Sequence, residues 1–92
     1  MKSYFLAPIR SGDAALAALD SILPRGGAGT WLLKDAAGDT VAYLSLVEVQ
    51  IETGERTIQA DVSGRHYDKD ADVVSVLERL RTILGGKITN DQ

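Results

Sequence analysis

The most informative absence from this sequence is cysteine. With no cysteine among its 92 residues, the chain has no disulfide framework and no thiolate to act as a metal ligand or nucleophile. It also has a single histidine, His66. A transition-metal site would therefore need mostly carboxylate ligands, which suit zinc poorly. We expect no metal and no cofactor, and stability that comes from side-chain packing.

Basic charge and long apolar runs are also scarce. Thirteen acidic residues outnumber ten lysines and arginines, for a net charge of −3, whereas nucleic-acid binders usually present a basic patch to the phosphates. The apolar runs are much shorter than the ~20 residues that cross a bilayer, and the N-terminal stretch is too short for a signal peptide. We expect a small acidic cytoplasmic protein that binds neither nucleic acid nor membrane.

What is present is an ordinary globular composition, 45% hydrophobic and 25% charged. A chain of 92 residues fits one domain, because domains typically hold about 100–150 residues. We therefore predict a single α+β domain over residues 1–92, with a polar tail at 90–92.

The first half of the chain predicts a strand, a helix and a loop. Residues 3–9 are strand-like, with Pro8 at the strand's end. Ser11 and the polar residues after it predict an N-cap for a helix over 14–23. Pro24 and the following glycines end that helix, and we interpret 25–30 as a flexible connection.

The second half predicts three strands, a second helix and a last short strand. The strand segments are 30–34, 40–51 and 57–63, joined by short glycine-bearing turns that indicate an antiparallel meander. Asp68, Asp70 and Asp72 predict the start of the second helix, because acidic side chains stabilise a helix N-terminus. An apolar stripe continues to Leu84, Gly85 ends the helix, and 87–89 predict an edge strand.

The resulting order is β-α-β-β-β-α-(β), with both helices expected on one face of an antiparallel sheet. This order resembles the ferredoxin-like family of two-layer sandwiches, with one strand added. The resemblance lies in element order alone, so it implies a fold and no activity.

The segment 40–51 is apolar on both faces over its first half. Val41, Tyr43 and Val47 share one face, and Leu44 and Leu46 share the other. If the helices cover only one face, Leu44 and Leu46, or their counterparts on the opposite face, need another cover. The neighbouring strand repeats the pattern, and the predicted outer interface residues are Trp31, Leu33, Leu44 and Leu46. Exposed apolar patches mark interaction sites, so this face predicts a homodimer or a protein partner. The alternatives are that a loop or the C-terminal tail folds over the face, or that a few exposed leucines are tolerated.

Two polar segments are candidate ligand sites. Arg25 and Gly27 lie in a glycine-rich basic loop, but the loop follows a helix and enters a strand, the opposite polarity to a phosphate loop. His66, Asp68 and Asp70 lie between a strand and a helix. Aspartates at every second position resemble the start of an EF-hand calcium loop, but Val73 and Arg79 replace its required glycine and glutamate.

These observations rank three hypotheses. The first is a non-enzymatic interaction or regulatory module that uses its outer sheet face. The second is a small-ligand-binding regulatory domain that uses the segments 25–30 and 64–72. The third is an enzyme with His66 as a general base beside an aspartate, although no second motif fixes the geometry such a base needs. The sequence favours a non-enzymatic function, and we assign no catalytic residue.

Overall fold

A computed structural model of the chain describes residues 2–27, 29–50, 55–64 and 67–90. The elements in chain order are β1 (Lys2–Ile9), α1 (Gly12–Ile22), β2 (Arg25–Gly27), β3 (Thr30–Lys34), β4 (Thr40–Gln50), β5 (Glu55–Val62), α2 (Asp70–Leu84) and β6 (Lys87–Asn90). A single turn of 3-10 helix, Tyr67–Lys69, precedes α2. The α+β class and the two helices agree with the prediction.

The described residues form a six-stranded sheet in the order β2-β3-β4-β5-β1-β6, and every neighbouring pair is antiparallel. The predicted meander is present as β3, β4 and β5. Six strands exceed the four of the ferredoxin-like pattern.

The interpretation of 25–30 as a flexible connection was wrong for its first part, because Arg25–Gly27 forms β2. Arg25 pairs with Trp31, and the Leu32 amide donates to the Pro24 carbonyl at 2.9 Å. Without β2, one side of β3 would carry unpaired backbone groups. β2 therefore supplies hydrogen-bond partners to the outer edge of β3, a pairing that the sequence pattern does not reveal.

Local signals set the ends of the helices and the β3–β4 turn. The Ser11 hydroxyl accepts from the Ala14 amide at 3.2 Å, as expected of an N-cap. Gly85, with φ of 79°, ends α2 in a conformation that favours glycine. In the turn, one Asp35 carboxylate oxygen accepts from the amides of Ala37 and Asp39 at 2.9 and 3.0 Å.

A single core cluster joins the two helices to one face of the sheet. The helices contribute Ala15, Ala18, Leu19, Val73, Val76, Leu77 and Leu80, and the strands contribute residues such as Leu6, Trp31, Leu44, Ile58, Ala60 and Val62. Among the described residues, no helix is long and apolar enough to cross a membrane.

Candidate functional site

The structure reverses the predicted faces of β4 from Ala42 to Val47, whereas Val41 is 1% exposed and lies in the core cluster, as expected. Trp31 and Leu44 are 0% and 1% exposed and lie in the core cluster. Leu33 and Leu46 are partly buried and pack against it. The prediction that these four side chains form an outer surface is therefore corrected, because the chain's own core covers them.

Strand register explains this reversal. Leu44 lies opposite Ala60, and Leu46 lies opposite Ile58. Residues that pair directly across neighbouring strands share a face. The clean apolar face of β5 packs inward, so it carries Leu44 and Leu46 into the core with it.

The opposite side of the sheet, here called the outer face, consists of the alternate residues of each strand. Two lines of cross-strand neighbours define it. The first is Leu32, Tyr43, Asp61 and Ser3; the second, here called the central row, is Thr30, Ser45, Gln59, Phe5 and Thr89. Val47 and Thr57 pair on the far side of the central row.

Two of the four exposed large apolar side chains among the described residues lie on the outer face, and the other two, Leu16 and Ile83, lie on the helices. Tyr43 is 48% exposed and Val47 is 38% exposed, both on the long strand β4. Phe5 and Leu32 are partly exposed. The face thus presents aromatic and branched aliphatic groups in the middle of the sheet, a composition suited to contact with another surface.

A polar group lies among these apolar side chains. Asp61 accepts from the Ser3 hydroxyl at 2.6 Å and from the Gln59 amide nitrogen at 2.9 Å. Both donors reach the same oxygen, Oδ1, from neighbouring positions on the outer face. The two bonds hold the carboxylate in one orientation, which makes it a fixed negative charge for a partner to recognise.

Glycine shapes one end of the outer face. A Cβ atom added at Gly26 would lie 2.5 Å from Leu32 Cγ, far inside a normal contact distance. Leu32 therefore lies against the bare backbone of β2. This close packing positions Leu32 next to Tyr43, its neighbour on β4.

The candidate ligand residue Arg25 is bound within the chain. Its Nε and Nη2 donate to the Asp20 carboxylate at 2.8 and 3.1 Å, and its Cζ lies 5.1 Å from the centre of the Trp31 ring. Trp31 Nε1 donates to the same carboxylate at 2.9 Å. The hydrogen bonds from Arg25, followed by that from Trp31, lower the pKa of Asp20 to about 2. This cluster ties the end of α1 to β2 and β3.

A second polar cluster joins β1 to the start of α2. Lys2 Nζ and the Tyr4 hydroxyl both donate to Asp70 Oδ2, the latter at 2.9 Å. The hydrogen bond from Lys2 lowers the pKa of Asp70, and the same bond raises the pKa of Lys2. Burial, then the bond to Asp70, raises the pKa of Tyr4. The predicted ligand residue Asp70 thus has a structural role, while Asp68 lies exposed in the 3-10 turn.

The structure does not bring the two candidate ligand segments together. Arg25 lies on β2 and Asp70 contacts β1, and these strands are four places apart in the sheet order. Four strand spacings correspond to about 19 Å. Gly27 is exposed, and His66 lies outside the described residues. Within the described ranges, no group of three or more acidic, histidine or cysteine side chains is arranged to hold a metal ion.

No family model, curated protein or solved structure matches this chain. Functional inference therefore rests on the chain's own residues.

Proposed function

We propose that this chain is a non-enzymatic protein-interaction module that binds a partner protein through its outer face. In this proposal, residues 1–92 act as one domain. The helices form one layer and the sheet the other, in a two-layer arrangement that is ferredoxin-like in outline with added strands.

The exposure of Tyr43 and Val47 carries the proposal. Both lie on the long strand β4. Tyr43 pairs with Leu32 on one side and with Asp61 on the other, so it occupies the interior of the sheet, and Val47 pairs with Thr57 on β5. Burying a side chain of this size is worth roughly 1.5–3 kcal/mol. Tyr43 and Val47 are already more than half buried, so a second surface laid on the outer face would gain about half of that value or less for each side chain.

The polar residues of the outer face supply selectivity. Asp61 is held in place by Ser3 and Gln59, and a partner must present a donor to it or leave a charge desolvated. An apolar patch with one fixed charge favours a complementary surface over a generic hydrophobic one.

Site-specific photocrosslinking tests the proposal. A benzoylphenylalanine in place of Tyr43 should give a covalent adduct with a protein, either another chain or a second copy of this one, in the cells that make it. The same group in place of Ile83, a residue of α2 that is 59% exposed, is the matched control and should give none.

The proposal fails if crosslinkers at Tyr43 and at Val47 both yield no adduct while the substituted chains remain folded. It also fails if the Ile83 position gives the same adducts, because the capture would then not depend on the outer face.

A further inference from the structure

We propose that residues 46–50 of β4, here called the open segment, bind an extended segment of a second protein. The partner adds to the sheet as an antiparallel strand and carries a lysine or arginine opposite Glu48. This inference goes beyond the proposed function, because it concerns an edge of the sheet and not its outer face. The strand pairing, the direction of the backbone groups and the charge of the open segment carry it.

The open segment extends beyond the end of β3. The pairs between β3 and β4 run from Lys34 with Thr40 to Thr30 with Ser45, whereas β5 stays paired with β4 as far as Gln50. Among the described residues, no strand pairs with the open segment on the side of β3. Five strand residues span about 17 Å, the length of a typical short strand.

The backbone groups of Leu46 and Glu48 point to this open side. The Ser63 amide donates to the Val41 carbonyl at 2.8 Å, so the backbone groups of Val41 face β5. The register of β4 with β5 is continuous over residues 42–48, and backbone groups alternate between the two sides of a strand. Those of Leu46 and Glu48 therefore face away from β5. An extended backbone is the partner that matches two N–H groups and two carbonyls at this spacing.

The loop between β2 and β3 does not pair with the open segment. If β3 continued its register, Gly29 would lie opposite Leu46, but Gly29 has a φ of 74°, which is not the extended conformation of a strand. A Cβ atom added at Gly27 or Gly29 would meet nothing within 4 Å, and Val47 is 38% exposed. The described part of this loop therefore leaves the place of a partner strand unfilled.

The open segment is less protected than the two outer strands of the sheet. β2 has three residues, two of them glycines, and β6 has four residues and begins with Lys87. Very short strands and lysines protect a sheet edge from further pairing. The open segment is Leu-Val-Glu-Val-Gln, rich in branched residues that favour strands. A register shift between Glu48 and Gln50 confines the regular pairing of a partner to about the first three residues.

The charge and position of the open segment disfavour a second copy and favour a basic partner. Antiparallel pairing of two copies about Glu48 would place two glutamates directly opposite each other, which is destabilising. Pairing about Val47 would bring Val49 of the copy opposite Ser45, a place that Thr30 already fills. A cation opposite Glu48 is stabilising instead, and the net charge of −3 attracts basic segments.

NMR titration of the isotope-labelled chain with a capped peptide, Lys-Thr-Val-Lys-Val-Thr, tests the inference. The second lysine is designed to lie opposite Glu48 and the last valine opposite Val47. Peptide concentrations up to about 5 mM reveal binding with a Kd near 1 mM. We expect saturable chemical-shift changes that are largest at the amides of Leu46 and Glu48.

Two N-methylated peptides show whether the peptide adds as a strand. In an antiparallel pair, the backbone of the second lysine faces Glu48, and the backbone of the valine after it faces away. N-methylation of this lysine removes a donor from the pairing and should abolish the shift changes. N-methylation of the valine is the matched control and should leave binding unchanged.

Charge reversal tests the residue opposite Glu48. A peptide with glutamate in place of the second lysine should bind about threefold to tenfold more weakly than the parent peptide. Glu48→Lys should reverse this preference, because the like and opposite charges exchange places. The dispersion of the amide spectrum confirms that the variant is folded.

The inference is overturned if the parent peptide gives no saturable change at Leu46 and Glu48, or if the two N-methylated peptides bind equally. An unchanged preference in Glu48→Lys also overturns it. Shift changes at the same amides on dilution of the chain alone would identify a second copy as the occupant, which contradicts the inference too. The crosslinking test at Tyr43 is independent of these results, so failure here leaves the proposed function to its own test.

Discussion

Replacing Leu44 by alanine tests which face of β4 is buried. The sequence pattern assigns Leu44 to the outer side, whereas the structure places it in the core at 1% exposure. Val47→Ala is the matched control on the same strand, because Val47 lies on the other face at 38% exposure. The two assignments of the faces predict opposite orders of destabilisation for this pair of variants.

The magnitude follows from burial and packing. Leu44 pairs with Trp31 on one side and Ala60 on the other, and small neighbours such as alanine cannot fill the space left by a shortened side chain. A buried Leu→Ala change of this kind lowers the free energy of unfolding by about 3 kcal/mol. Val47→Ala removes two methyl groups from a partly solvated side chain and should lower it by about 1 kcal/mol or less.

Urea titration followed by tryptophan fluorescence measures both changes. Trp31 is the only tryptophan and lies next to Leu44, so its emission reports on this core. The variants are compared at a protein concentration at which the wild-type chain is monomeric. For a chain of this length, a loss of about 3 kcal/mol also lowers Tm by about 15 °C. Equal losses for the two variants, or a larger loss for Val47→Ala, would refute the assignment of the faces.

Two further predictions concern the α1–β2–β3 corner. Because Arg25 holds the pKa of Asp20 at about 2, below its unfolded value, Asp20 stabilises the fold above about pH 4 and loses this effect as the pH falls through about 2. The difference in unfolding free energy between the wild-type chain and Asp20→Asn should therefore be largest near neutral pH and vanish in acid; a difference independent of pH would contradict this. Gly26→Ala should cost about 1–3 kcal/mol in urea unfolding, since the new Cβ collides with Leu32. Gly27→Ala is the control and should change the stability little, because its Cβ would meet nothing within 4 Å. If the two variants lose the same free energy of unfolding, Leu32 does not pack on Gly26.

Much of the secondary structure is predictable from local signals. A hydroxyl at Ser11 caps α1, Gly85 ends α2, and the alternation of Ile58, Ala60 and Val62 marks β5, because each of these effects acts within a few residues. The strand β2 is different. Its sequence, Arg-Gly-Gly, has low strand propensity, and it pairs only because β3 presents an open edge beside it.

The candidate site was predictable as a sheet face but not as a set of residues. The sequence indicates that a strand apolar on both sides needs a second cover, and Tyr43 and Val47 are partly uncovered in the structure. The pattern does not say which side is which, since moving the register of β4 by one residue exchanges its two faces. The clean alternation of β5 was the one signal that could have identified the buried face of β4. The apolar residues of β5 face the core, and the residues of β4 that pair with them must face the same way.

By itself, therefore, the sequence determined the helices, most of the strands, and the presence of an excess of apolar surface on β4. Only the tertiary structure decided that Leu44 faces the core while Tyr43 faces outward. It likewise joined Lys2 to Asp70 and Arg25 to Asp20 and Trp31. The physical reason is that local propensity and periodicity act over a few residues, whereas strand register and polar contacts depend on how distant segments pack together.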